Sequence, residues 1–172
     1  EDEIESLHPE AIPLLVVKLV SSVCSSDPNV SKNAGYFLTG LARIDDPNIQ
    51  GELKKRIVKE KTDDEKYSDI VLRVISSNGK LVVDANGPSK KRIQKIISKK
   101  IKNIKASDSE TRFSHPASVL VSLANALDEE VLVENFGDQF DEFFAKRPYS
   151  AYVMDAIKEH PNVRDHLVEM LL

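Results

Sequence analysis

The sequence predicts an all-α fold: a right-handed α-solenoid of about four antiparallel helical hairpins plus a terminal helix. One nine-residue pattern occurs four times, with a small residue at its second place and apolar residues at its fourth, fifth, sixth and ninth places. The copies begin at Asn33, Tyr67, Pro116 and Tyr149, so their starts are 34, 49 and 33 residues apart. A spacing in the low thirties is typical of helical hairpins, which stack because one hairpin cannot bury its apolar face alone.

A short signal for the start of a helix also recurs. Asp27-Pro28-Asn29-Val30 is followed by Asp46-Pro47-Asn48-Ile49 and, near the end, by His160-Pro161-Asn162-Val163. An Asp N-cap followed by a proline in the first helical position is a favourable helix start, because the proline lacks an N–H that would be unpaired there anyway. The recurrence supports a fold of repeated hairpins.

In the first half of the chain, apolar residues at helical spacing predict four helices. The first begins at Ala11, with Pro13 in its first turn, where the missing N–H has no cost. The next three are expected over 28–43, 47–61 and 64–77. The buried face of the helix over 28–43 is expected to consist of Val30, Ala34, Phe37, Leu38 and Leu41.

The segment from Asp69 to Asp84 allows two structures. β-Branched runs flank Asn78-Gly79, a preferred hairpin turn, which indicates a β-hairpin. The alternative is a helix whose apolar stripe consists of Tyr67, Ile70, Val71, Val74 and Ile75. Asn78-Gly79 also suits a left-handed helix C-cap, and the alignment of the repeats favours the helix. A connector over 78–89 follows, in which Leu81-Val82-Val83 forms a short helical turn or an extended tether.

In the second half, Ser89 is predicted to cap a helix over 90–105. The apolar stripe of that helix consists of Ile93, Ile96, Ile97, Ile101 and Ile104. Further helices are predicted, in order, over 115–127, 128–145, 149–159 and from Pro161 onward. The chain is therefore expected to form a single helical-repeat domain over 1–172, in which residues 1–8 are an acidic, loosely ordered lead.

Composition limits the class of protein. Of 172 residues, 41% are hydrophobic and 6% aromatic, without Trp, so the core is expected to be mostly Leu, Ile and Val. The single cysteine excludes an internal disulfide and suits a reducing intracellular compartment, cytoplasmic or nuclear. No stretch approaches about 18 consecutive apolar residues, so no membrane span is predicted. The acidic start lacks Met and the end lies inside a predicted helix, so we expect a fragment of a longer protein.

The first two predicted helices resemble a HEAT/armadillo repeat. The resemblance rests on a proline in the first helix (Pro13), Asp27 at the turn between the helices, and the series Val30, Lys32, Ala34, Leu38 and Leu41 in the second helix. It covers about a fifth of the chain. It implies an α-solenoid that binds other proteins on its surface.

The seventh and eighth predicted helices are also similar to a Pumilio repeat. On that alignment the residues facing RNA would be Ala151, Tyr152 and Asp155, and in the first copy Gly35, Tyr36 and Thr39. The second and third copies have Asp69, Ile70 and Arg73, and Ser118, Val119 and Ser122. These two sets depart from the side chains that read bases in that family.

No pattern points to an enzyme, and we predict no catalytic, cofactor-binding or metal-binding residues. Gly35-x4-Gly40 lacks the following Lys-Ser/Thr of a phosphate-binding loop, and there is no G-x-S-x-G. None of the four histidines has a Cys or His partner at a metal-ligand spacing. His115 and His160 each precede a proline at a helix start, which favours a capping or solvent role. Cys24 is expected to be a structural or partly buried thiol.

The basic helix over 90–105 is the sharpest functional signal. Its eight cations, with no acid among them, are Lys90, Lys91, Arg92, Lys95, Lys99, Lys100, Lys102 and Lys105. They are either simply solvated around the isoleucine stripe, or they bind phosphate groups or an acidic protein. The missing aromatic residues and the acidic remainder of the chain argue against nucleic acid, which stays the alternative.

An acidic segment over 128–142 contrasts with this helix, because no Lys or Arg occurs from Phe113 to Ala145. It is either a solvated helix face or a surface for a basic peptide or for the basic helix of a second copy, so self-association is open.

The favoured function is a non-enzymatic scaffold that binds another protein, as a peptide or helix, through its concave or charged surface. The expected contact residues are Tyr36, Arg73, Ser122, Tyr152 and Asp155.

Overall fold

The computed structural model describes residues 8–58, 65–83, 87–148 and 150–171, and these residues are predominantly helical, without a strand. The helices are α1 (Ala11–Val23), α2 (Pro28–Ala42), α3 (Pro47–Leu53), α4 (Glu65–Ser77), α5 (Gly87–Lys102), α6 (Pro116–Ala126), α7 (Glu129–Lys146), α8 (Ala151–Ala156) and α9 (Pro161–Leu171). The predicted all-α class is confirmed. Residues 1–7, Tyr149 and the last part of the helix predicted over 47–61 lie outside the described residues.

The helix starts follow from local chemistry. The Asp27 carboxylate accepts the N–H of Asn29 at 2.8 Å, and the Asp46 carboxylate accepts those of Asn48 and Ile49 at 2.8 and 3.0 Å. Each Asp therefore pairs N–H groups that a helix start leaves without intrahelical partners. The third copy of the signal works differently, because the N–H of Asn162 donates to Glu129 at 2.6 Å.

The helix, not the β-hairpin, forms from Asp69 onward. α4 continues to Ser77, and a 3₁₀ helix, Gly79–Val82, follows it directly. Asn78 has extended backbone angles and accepts the N–H of Lys80 at 3.1 Å, so it caps the 3₁₀ helix. The predicted left-handed C-cap at Asn78-Gly79 is therefore wrong.

α5 begins three residues earlier than predicted, at Gly87, and ends at Lys102 instead of Lys105. Ser89 consequently lies in the first turn of α5 and does not precede it, so its predicted role as the cap is wrong. Most of the predicted connector over 78–89 is helical among the described residues, since Leu81 and Val82 are buried parts of the 3₁₀ helix.

The even-numbered helices form one row, which we call the even row. α2 packs on α4, α4 on α6, and α6 on α8. The Asn78 amide donates to the carbonyl of Ala42 at 3.0 Å, and the Ser122 hydroxyl donates to the carbonyl of Ile75 at 2.8 Å. The contacts advance together along each pair of helices: Gly35 lies against Ile70 and Ala42 against Asn78, while Ile75 lies against Ser122 and Gly79 against Ala126. The helices α2, α4 and α6 therefore run in the same direction.

The odd-numbered helices cover the other side of the core. α1 packs on α2 and α3, while α5 packs on α7 and α7 on α9. The Lys90 ammonium bonds the Asn135 side chain at 2.5 Å, and Gln139 lies 3.3 Å from Ser98, so α5 and α7 are also parallel. Two layers of helices are thereby held around one apolar core.

The core is aliphatic apart from a few aromatic rings. Tyr67 is fully buried, and its hydroxyl donates to the carbonyl of Arg56 at 2.6 Å. That carbonyl belongs to a π-helical segment, Lys54–Val58, which continues α3 with wider turns. The buried rings of α7 are Phe136, Phe140, Phe143 and Phe144.

Two of the five residues predicted to form the buried face of α2 are exposed. Ala34, Leu38 and Leu41 are buried as expected, whereas Val30 is 43% and Phe37 is 62% exposed. Ala34 and Leu38 face the core. The buried residues of α2 are Ala34, Gly35, Leu38, Thr39, Leu41 and Ala42, and Val30 and Phe37 lie at the margin of that face. Helical periodicity therefore predicted which side of α2 is buried, but it did not predict how far around the helix the buried face extends.

Candidate functional site

A cavity of about 220 Å³ lies on the even row, between α2 and α4. We call it the α2–α4 cavity. Its apolar walls are Val23, Pro28 and Ile70, and its charged lining residues are Lys32, Asp69 and Arg73. The two helices approach closely here, since a Cβ atom on Gly35 would lie 2.7 Å from Cδ1 of Ile70.

Arg73 is the most constrained side chain of this cavity. It is half-buried in α4, and its Nε atom is inaccessible to solvent and has no hydrogen-bond partner among the described residues. A buried donor without an acceptor is energetically costly. Arg73 therefore lines the cavity with a positive charge, while its unsatisfied Nε–H is itself closed to solvent.

Tyr36 lies beside the cavity, one helical turn after Lys32. The ammonium group of Lys32 is 5.8 Å from the centre of the Tyr36 ring, and the tyrosine is 53% exposed. The i, i+4 spacing puts both side chains on the same face of α2. Two of the five predicted contact residues, Tyr36 and Arg73, are thus linked through a lysine that the sequence analysis did not select as a contact residue.

Asp69 connects the cavity to the basic helix. Its carboxylate lies 2.6 Å from the ammonium group of Lys100 in α5. The negative charge of Asp69 is therefore neutralised from outside the cavity. The charges of Lys32 and Arg73 have no carboxylate partner among the described residues.

Ser122 is a structural residue in this arrangement. It is half-buried, and its hydroxyl is engaged with the carbonyl of Ile75 near the end of α4. The bond joins α6 to α4, so the hydroxyl is not free to contact a partner without breaking it.

Tyr152 and Asp155 lie on α8, away from the α2–α4 cavity. Tyr152 is 40% exposed, and the exposed Asp155 forms an ion pair with Lys158 at 3.1 Å. α6 packs on both α4 and α8, so it separates these two residues from Arg73. The structure therefore does not join all five predicted residues in one site.

Three of the eight cations of the basic helix are engaged within the fold. Lys90 bonds Asn135, the guanidinium group of Arg92 lies 5.2 Å from the centre of the Tyr67 ring, and Lys100 pairs with Asp69. The other five are exposed and have no side-chain partner among the described residues: Lys91, Lys95, Lys99, Lys102 and Lys105.

Four of these cations form one stripe along α5, which we call the lysine stripe: Lys91, Lys95, Lys99 and Lys102. The neighbouring helix α7 presents an acidic stripe on its exposed side: Glu130, Glu134 and Asp138. The positive and negative stripes lie side by side on parallel helices, so each weakens the electric field of the other at a distance.

A second cavity, of about 200 Å³, lies at the start of α6 and is lined by Lys100, Asp108, Arg112 and His115 among others. His115 is 6% exposed, and its Nδ1 atom accepts the N–H of Ala117 at 3.1 Å. The predicted capping role of His115 is confirmed. Burial lowers the pKa of His115, and the charge of nearby Arg147 lowers it further.

Two further side chains singled out in the sequence are Cys24 and His160. Cys24 is exposed, so the expectation of partial burial is wrong. His160 bonds the carbonyl of Ala124 at 2.7 Å and thereby ties the start of α9 to α6. In the described part of the chain, no three His, Cys, Asp or Glu side chains converge as a metal site would require. Nor does any helix in that part have the length and apolar composition to cross a membrane.

Comparisons of the chain with protein-family models, with curated proteins and with solved structures give no match.

Proposed function

We propose that the chain is a non-enzymatic helical-repeat scaffold that binds another protein through the outward face of the even row. The observation that supports this proposal is the grouping of Tyr36, Lys32 and Arg73 around the α2–α4 cavity. Tyr and Arg are the residue types that most often dominate protein–protein binding energy, above all beside a pocket that excludes water.

The proposed architecture is a right-handed α-solenoid of the kind that HEAT and armadillo repeats form. Its support is the row of helices that pack in sequence, α2 on α4, α4 on α6 and α6 on α8, with α2, α4 and α6 running in the same direction. Stacked repeats of this kind present one helix of each hairpin on a continuous surface. A peptide or helix can lie across such a surface and place side chains between adjacent helices.

A selection of peptides tests this function. The purified chain is immobilised and used to enrich a displayed library of random peptides of about 16 residues. Enriched peptides are synthesised, and their affinities are measured by fluorescence anisotropy. We expect Tyr36→Ala to raise Kd by about tenfold or more, in the range typical of interface hot spots, without a large change in Tm.

The matched controls are Tyr152→Ala and Lys91→Gln. Tyr152→Ala removes an exposed tyrosine from the same row but away from the cavity, and we expect a smaller effect on Kd. Lys91→Gln removes an exposed cation from α5 and should leave Kd unchanged. Failure to enrich any peptide, or peptides that bind equally to wild type and Tyr36→Ala, would refute binding at this place.

The alternative is nucleic-acid or phosphate binding through α5, favoured by the exposed lysine stripe without partners among the described residues. It predicts binding to single-stranded RNA or double-stranded DNA that falls steeply with salt, because bound lysines release counterions. Replacing Lys95, Lys99 and Lys102 with Glu should abolish it. The acidic stripe on α7 argues against this alternative, so we expect no salt-sensitive binding of either nucleic acid.

A further inference from the structure

The cations beside the α2–α4 cavity, Lys32 and Arg73, form no ion pair among the described residues. Asp69 is the one carboxylate among the described residues that lines the cavity, and Lys100 already neutralises it at 2.6 Å. Lys32 contacts the ring of Tyr36, and Arg73 has no partner among the described residues. The cavity therefore carries two uncompensated positive charges.

The surroundings of these charges strengthen their attraction for an anion. Val23, Pro28 and Ile70 form apolar walls, and low-dielectric protein beside a charge strengthens its interactions relative to bulk water. Arg73 is half-buried at that surface and has no carboxylate partner among the described residues, so its guanidinium group needs an acceptor. A carboxylate satisfies this need best, because it accepts two hydrogen bonds from a guanidinium group in one plane.

The size of the cavity indicates what carries the carboxylate. Small-molecule sites commonly enclose about 300–1,000 Å³, and this cavity, at about 220 Å³, is smaller. It suits one side chain of a larger partner. The exposed ring of Tyr36 on α2, one turn after Lys32, offers apolar contact for residues next to that side chain.

We infer that the partner segment is acidic and that one Asp or Glu side chain of the partner enters the α2–α4 cavity between Lys32 and Arg73. This inference rests on the protein-binding function proposed above and adds the chemical class of the partner. The aromatic and apolar surface beside the cavity makes it a peptide site more than a nucleic-acid site, since stacking of successive bases needs several aromatic platforms.

The test uses a pair of synthetic peptides. One is a fluorescein-labelled amphipathic peptide of about 16 residues that combines Leu with Glu, and its partner replaces every Glu with Gln. Both are titrated with the full chain at about 50 mM and about 200 mM salt. We expect the Glu peptide to bind about tenfold or more tightly than the Gln peptide, since charge-assisted hydrogen bonds are the strong ones.

Variants test whether the difference in affinity between the Glu and Gln peptides arises in the cavity. Arg73→Gln and Lys32→Gln should each weaken the Glu peptide toward the affinity of the Gln peptide while changing the Gln peptide by less than about twofold. Lys91→Gln removes one positive charge from the exposed side of α5 and is the matched control, with no more than about a twofold effect on either peptide. Thermal unfolding of each variant verifies that the fold is retained.

The outcomes separate this inference from the proposed function. Equal affinity for the two peptides, or an equal loss for both in Arg73→Gln, would overturn the acidic partner while leaving protein binding in place. Tighter binding of a uridine oligonucleotide of about 16 nucleotides than of the Glu peptide would also overturn it. Binding of neither peptide, together with a display selection that enriches nothing, would overturn both.

Discussion

The even row and the α5–α7 pair both join parallel helices, but they do so with different chemistry. In the even row the backbones approach closely, and short side chains bond directly to neighbouring carbonyls, as Ser122 does to Ile75. Between α5 and α7 the bonds come from long side chains, such as Lys90 and Gln94 to Asn135. Long side chains have many rotamers to lose, so they fix the distance between helices less tightly.

This difference has a consequence for function. The largest charge cluster of the sequence lies on the α5–α7 side, where its exposed lysines are solvated and adjoin an acidic stripe. Lys32 and Arg73 are isolated cations in the sequence, yet they meet beside a cavity in the closely packed row. Half-buried Arg73, which has low-dielectric protein on one side, attracts an anion more strongly than a fully solvated cation does.

Among the substitutions that test this comparison, a change at Gly79 is expected to have the largest effect on the free energy of unfolding. A Cβ atom there would overlap the backbone carbonyl oxygen of Ser122 and lie 2.9 Å from Cβ of Ala126. Because backbone cannot yield cheaply, Gly79→Ala should lower the free energy of unfolding by about 2–3 kcal/mol, as overpacking does. The midpoint of urea denaturation measures this loss.

Two other glycines serve as controls for Gly79→Ala. Gly40→Ala places a methyl group in open space within α2 and should stabilise by about 0.5–1 kcal/mol. Gly35→Ala meets only the flexible end of Ile70, so its effect should be intermediate. If all three variants have the same midpoint, close approach of backbones does not distinguish the even row.

Ser122→Ala is expected to have the next largest effect. It removes the hydrogen bond between α6 and α4 and should lower the free energy of unfolding by about 1 kcal/mol, with peptide affinity unchanged. Asn125→Ala, at an exposed site on the same helix, should stay within about 0.5 kcal/mol of wild type. The reverse result, unchanged stability with weaker peptide binding, would restore Ser122 as a contact residue.

The smallest effect on stability is expected when acidic pH protonates His115. Burial lowers the pKa of His115 in the folded state, so the unfolded chain takes up this proton at a higher pH than the folded chain does. The stability linked to His115 is therefore fully present above the ordinary histidine pKa and is lost as pH falls below it. Urea midpoints measured at about pH 7.5 and about pH 5.5 report the loss.

His115→Asn is the matched variant for that measurement. Asn also accepts a hydrogen bond as an N-cap, so it can keep the cap on α6 without titrating. We expect the midpoint of His115→Asn to fall less between the two pH values than that of wild type. An equal fall in both proteins would assign the acid sensitivity in this pH range to groups other than His115.

Local signals made most of the helices predictable. Asp27 and Asp46 cap their helices within a few residues of themselves, and helical spacing correctly favoured α4 over a β-hairpin. The prediction failed where one short sequence pattern is compatible with two local structures. Asn78-Gly79 suits a helix end, but in the structure Asn78 caps the next element, and Gly79 allows contact with Ser122.

The candidate site was predictable only in part. Tyr36 and Arg73 were chosen from the repeat alignment, and the structure places both at the α2–α4 cavity or beside it. The pairing of Asp69 with Lys100, and so the unbalanced charge of the cavity, joins residues 31 positions apart, which no local pattern reveals. One feature of the sequence could have identified Lys32 as part of the site: it lies four residues before Tyr36 on α2.

The sequence by itself determined the helical class, the places where most helices begin, and the apolar stripes, because capping and periodicity act over one or two helical turns. The tertiary structure alone decided which helices became neighbours. That choice left Val30 and Phe37 exposed, required a glycine at position 79, and brought Lys32 and Arg73 to one cavity. Those outcomes depend on contacts between residues far apart along the chain, where many pairings satisfy the same local pattern.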